Sequence, residues 1–130
     1  MARGADKCGL IKASGAERRE NCRASGLSVR VHLGYAAGVP ISIITDAPVT
    51  PLERLPMCAG FAVSEGLPYD EGWRAITINP AKQTGIGDRV GSLEAGKDGD
   101  VVIWEADPLT VIGTSAYMTV VDGKIVYRAE

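Results

Sequence analysis

Asp46 is the residue in this 130-residue chain whose type and setting most suggest chemistry. It closes a run, Ile41-Ser42-Ile43-Ile44-Thr45, and opens Ala47-Pro48. Apolar or small residues without alternation predict a strand covered on both faces. A carboxylate at the C-terminal tip of such a strand points into the loop face, where α/β barrels place their chemistry. A plainer reading stays open beside it: Asp46 caps the following turn through an Asx motif.

Other reactive types are sparse. His32 is the single histidine, whereas a catalytic zinc site takes about three protein ligands. Asp46 and His32 alone cannot build one, and His32 reads as a loop or surface residue. Cys8, Cys22 and Cys58 are odd in number and contain no C-x-x-C, which reads as unpaired cytosolic thiols. Cys58, among Met57, Ala59 and Phe61, reads as a small core hydrophobe. Gly91-x4-Gly96-Lys97 nearly spells a phosphate loop, but Asp98 stands where Ser or Thr would meet magnesium. Gly85-x-Gly87 followed by Gly91 misses the dinucleotide spacing by one residue, so it reads as turns.

The elements around these residues change character along the chain. Before Leu27 no clean periodicity exists. Thr50-Pro51 is a helix entry; Leu55, Cys58, Ala59, Ala62 and Val63 recur at helical spacing, and Gly66 fits the stop. Asp70 is expected to cap a second helix carrying Trp73, Ile76 and Thr77, and Asn79-Pro80 to open a third that Gly85 ends. Four short strands are expected after Gly87: Val90–Glu94, Val101–Trp104, Met118–Val121 and Lys124–Tyr127. Asp122-Gly123 between the last two is a hairpin signal, because both turn positions need positive φ.

Length and composition bound the rest. The chain is too short for a complete (β/α)8 barrel of about 250 residues, and 45% apolar content is that of a globular protein. Residues 1–30 hold seven Lys/Arg against three acids, the remaining hundred seven against thirteen. The basic start reads as a solvated terminal segment. Few aromatics argue against a nucleic-acid platform. No run reaches the ~20 apolar residues of a membrane span, and no secretory signal is visible. A cytoplasmic location is expected.

Taken together, Thr45-Asp46-x-Pro48-Val49-x-Pro51-Leu52, Leu55-Pro56-x-Cys58-Ala59-Gly60, Asn79-Pro80-Ala81, Gly85 through Asp100, Asp107-Pro108-Leu109 and the Asp122-Gly123 turn resemble the C-terminal end of amidohydrolase-superfamily enzymes. The nearest likeness is to imidazolonepropionase-like and prolidase-like members. It covers about two thirds of the chain, Gly38 to Tyr127. The resemblance implies that Asp46 closes the last barrel strand, binds a divalent metal and takes a proton from the attacking water. It also implies that Val90 to Tyr127 belongs to a small β-sandwich beside the barrel. Two departures stand out: Ala47 where the family often has His, and Gly99 where it usually has Ala.

The expected fold is α/β or α+β: the last strand–helix units of an amidohydrolase barrel, then half of a small, mostly antiparallel β-sandwich. The expected division is 1–27 unmatched, 28–87 barrel remnant and 88–130 sheet. Open strand edges lead us to expect a homo-oligomer or a partner chain covering them, with neither nucleic acid nor membrane as partner. Two functions follow. One is a metal-dependent hydrolase of C–N bonds in amides, cyclic amides or dipeptides, with Asp46 as ligand and base but inactive as an isolated chain. The other is a non-catalytic interaction or structural module. No cofactor is expected in the isolated chain, and zinc or another divalent metal only if a complete site is assembled.

Overall fold

A computed structural model describes residues 11–13, 16–18, 31 and 33–130; His32, Cys8 and Cys22 lie outside them. Strands β1 (Ile11–Ala13) and β2 (Ala16–Arg18) form an antiparallel hairpin. A 3₁₀ turn, Leu52–Arg54, leads into α1 (Leu55–Ser64), followed by α2 (Tyr69–Ile76) and α3 (Ile78–Gln83). Strands β3 (Val101–Trp104), β4 (Ala116–Val121) and β5 (Lys124–Arg128) form an antiparallel sheet in the order β3-β4-β5.

Glycines end two helices by one mechanism. After α1, Gly66 at φ 107° donates to the Val63 carbonyl and buried Leu67 donates to that of Ala62. After α3, Gly85 at φ 79° and Ile86 repeat the pair on Lys82 and Ala81. Each pair satisfies carbonyls that the helix end would leave unbonded, and needs a left-handed residue that glycine supplies without a Cβ clash. Asp70 is not the cap of α2: Pro68 holds that position, and Asp70 sits in the first turn with Glu71. There the two carboxylates complement the positive end of the helix dipole.

One apolar cluster holds Ile43, Ala59, Ala62, Leu67, Ala75 and Leu109, with Cys58 partly buried against it. Leu109 is its far-travelled member, arriving from the loop between β3 and β4. The Asp107-Pro108-Leu109 segment lies so close to α1 that a Cβ on Gly60 would stand 2.1 Å from the Leu109 carbonyl oxygen. On α2, a Cβ on Gly72 would meet Val63 at 2.6 Å and Leu109 at 3.2 Å. The loop is held by Asp107, whose carboxylate accepts from the Leu109 N–H at 3.0 Å and the Thr110 hydroxyl at 2.6 Å. The Thr110 bond foremost, then Leu109 N–H and Tyr69, lower the Asp107 pKa against slight burial.

Two expected strands are absent. Val90–Glu94 is a run of turns and bends, because Gly91 adopts φ 91° and packs its backbone on α3, where a Cβ would come 2.8 Å from Ala81. Lys97 clips this loop shut: its ammonium donates to the Gly87 carbonyl at 2.7 Å and Ser92 at 2.6 Å, with Glu94 at 3.6 Å. The lysine of the near phosphate-loop motif is thus engaged within the chain. Residues 41–45 likewise pair with no strand among the described residues. The Ile run records burial, which a packed segment needs whether or not a neighbouring strand is present.

The C-terminal hairpin forms as expected, with Val121 opposite Lys124 across Asp122-Gly123 at φ 51° and 72°. Asp100 accepts from the Asp122 N–H at 2.9 Å, and Gly123 N–H donates to the Gly99 carbonyl at 3.0 Å. A Cβ on Gly99 would stand 3.0 Å from the Gly123 nitrogen, so this position is closely packed on the hairpin turn.

Candidate functional site

Segment 40–45 delivers Asp46, and side chains of α3 hold it in place of a strand ladder. Asn79 donates to the Ile41 carbonyl at 2.9 Å, and Gln83 donates to that of Pro40 at 3.0 Å while accepting from Ser42 at 2.6 Å. From α2, the Ala75 carbonyl accepts from the Ile43 N–H at 2.9 Å. Ile43 and Thr45 are buried, whereas Ile44 between them is 70% exposed. This alternation is that of an extended chain with one side on the core.

Asp46 itself is exposed and lies at φ 52°, a region that Asp tolerates better than most residues. It starts a turn through 46–49 in which Val49 N–H donates to the Asp46 backbone carbonyl at 2.9 Å across a cis Ala47–Pro48 bond. The backbone therefore closes the turn. Among the described residues the Asp46 carboxylate has no hydrogen-bond or ion-pair partner, and the Asx cap considered from the sequence is not formed there.

Among the described residues no three of His, Cys, Asp and Glu come together as a metal cage. They therefore do not by themselves fit a complete metal centre. Sequence reasoning missed the role of Asn79 and Gln83. The Asn79-Pro80 pair announced a helix start, but an amide aimed at a segment nearly forty residues earlier leaves no local signal.

Comparison with known proteins identifies the family. The profile of the amidohydrolase family matches residues 14–127. The chain is 34% identical over 89 residues to amidohydrolase tasK of Hapsidospora irregularis, covering 68% of this chain and 9% of that protein. To the imidazolonepropionase of Bacillus velezensis it is 37% identical over 73 residues, covering 54% of this chain and 17% of the relative. The structure superposes on an amidohydrolase from Thermotoga maritima with a TM-score of 0.74 at 33% identity, covering 78% of this chain and 26% of that one. The chain thus spans about a quarter or less of the length of these relatives, and over that span it belongs to the amidohydrolase family.

Proposed function

We propose that this chain is the closing part of a metal-dependent hydrolase of C–N bonds, in amides, cyclic amides or dipeptides, and does not turn over such substrates alone. One observation carries the reading. Within the matched region, an exposed carboxylate free of partners among the described residues stands at the end of a segment pinned by four hydrogen bonds to α2 and α3. Positioning of that kind suits a ligand or base that must hold its place.

Asp46 is then the group this stretch would offer to a divalent metal, and the remaining ligands would come from outside these 130 residues. Such a metal would supply a water acidified to near-neutral pKa. Within this chain, Asn79, Gln83 and the Ala75 carbonyl hold the Asp46 segment. The alternative, a non-catalytic module, is favoured by the exposure of the β3–β5 sheet.

Elemental analysis of the purified chain, beside an amide-hydrolase substrate screen, tests the reading. The expected result is substoichiometric metal and no turnover, with Asp46→Asn changing neither and costing at most about 1 kcal/mol. Stoichiometric zinc that disappears in Asp46→Asn would overturn the claim that the chain is inert alone.

A further inference from the structure

Asp122-Gly123 is one of two Asp-Gly pairs in the chain, the other being Asp98-Gly99. Such a pair carries its own chemistry. The glycine backbone nitrogen can attack the aspartate side-chain carboxyl carbon, and no Cβ on the glycine crowds the approach. An N–C bond forms, and the carboxyl hydroxyl leaves as water with the amide proton. Water then opens the resulting succinimide at either carbonyl. One opening restores aspartate; the other gives isoaspartate, whose backbone runs through the side chain and gains a methylene.

The fold opposes this step at Asp122. Ring closure needs the Gly123 nitrogen eclipsed with the Asp122 Cβ about the Cα–C bond. At φ 51° Asp122 lies in the left-handed basin, where ψ is about +30 to +60° and that nitrogen stands nearly opposite Cβ. Two hydrogen bonds keep the turn there. Gly123 N–H, on the attacking nitrogen itself, donates to the Gly99 carbonyl at 3.0 Å, and Asp122 N–H donates to Asp100 Oδ1 at 2.9 Å. Asp98-Gly99 is restrained differently. Asp98 is not at positive φ, and among the described residues the Gly99 N–H donates to no backbone carbonyl outside a strand or helix. Only the Asp98 carboxylate is held, by exposed Arg89 at 2.6 Å.

We infer that Asp122 is a site of conversion to isoaspartate and that the clamp formed by Gly99 and Asp100 sets its rate. Conversion requires the turn to open, because only then can the Asp122 Cα–C bond rotate. It also prevents reclosure. Val121 stands opposite Lys124 across a two-residue turn, and an added methylene takes that pair out of register. An opening of the hairpin is thereby recorded in the covalent chain. This inference is independent of the hydrolase reading.

Timed incubation of the full chain at neutral pH tests it, with electron-transfer fragmentation to tell isoaspartate from aspartate. Cleavage after Glu94 and Glu105 puts the two pairs on separate peptides, 95–105 and 106–130. In guanidinium the two pairs should convert at similar rates. In the folded chain Asp122 should convert about tenfold or more slowly than in guanidinium, and lag behind Asp98. Asp100→Ala removes a charged acceptor and should speed conversion at Asp122 about tenfold. Asp100→Asn keeps an oxygen acceptor and should fall between. Equal rates at Asp122 in folded and unfolded chain would overturn the proposal, as would an Asp100→Ala chain no faster than wild type. So would an absence of isoaspartate at 122 in guanidinium. Should Asp100→Ala lose its far-UV circular dichroism, Asp100→Asn and the comparison with guanidinium still decide.

Discussion

The helical region and the sheet treat their apolar residues in opposite ways. Around α1 and α2, Ile43, Ala59, Ala62, Leu67, Ala75 and Leu109 share one buried cluster, although they come from four separated stretches of chain. In the sheet, Val102, Ile103, Val121, Ile125 and Val126 are as apolar and at least 43% exposed. The first region satisfies its own hydrophobic demand, and the second leaves it open. A three-stranded sheet without cover is at the margin of independent stability; the hairpin turn and the Asp100–Asp122 bond brace it internally, and the docked Leu109 loop ties it to the helical region. The Asp46 segment belongs to the closed region, which is where a positioned carboxylate has to be.

Gly60→Ala should separate the regions most strongly. Its methyl would meet the Leu109 backbone carbonyl oxygen at 2.1 Å, and neither α1 nor the loop can yield without opening the core. Overpacking typically costs about 1–3 kcal/mol, and a contact this short belongs at the upper end, read as a large fall in the chemical-denaturation midpoint. A loss below about 1 kcal/mol would show that the Leu109 loop is not locked to α1.

Asp107→Ala is expected to cost about 1–3 kcal/mol, since two hydrogen bonds to a charged acceptor are lost. The same group sets a pH dependence. Because its folded pKa is lowered, its contribution is present above the usual aspartate value of about 3.9 and is lost as pH falls below it. The wild type should therefore lose stability in that acidic window, and Asp107→Ala should lose less over the same interval. Equal acid slopes in the two proteins would mean that Asp107 is not the group responsible.

The smallest effect is expected on the open side. Val126→Thr, on β5, should change stability by no more than about 0.5 kcal/mol in dilute monomer. A cost approaching that of a core truncation would reveal a cover over the sheet and erase the contrast between the regions.

Local patterns made several parts of the fold legible in the sequence. Asp122-Gly123 dictated its turn because both φ angles are positive, a demand that few residue pairs meet. The stops at Gly66 and Gly85 were readable for the same reason, and Val101–Trp104 came out with its bounds as expected. The resemblance to amidohydrolases was legible too, because Thr45 to Leu52 and Gly85 to Asp100 combine turn residues and carboxylates in a distinctive order. Other features depend on partners distant in sequence. The apolar run before Asp46 spoke only of burial. That it packs on α3 through Asn79 and Gln83, with no strand beside it among the described residues, was decided by tertiary contacts across roughly forty residues. Gly91 turned an expected strand into a clipped loop because α3 lies against its backbone. Hydrophobic pattern and turn chemistry are properties of neighbouring residues. Whether an apolar segment meets a strand, a helix or open solvent depends on what the rest of the fold brings to it.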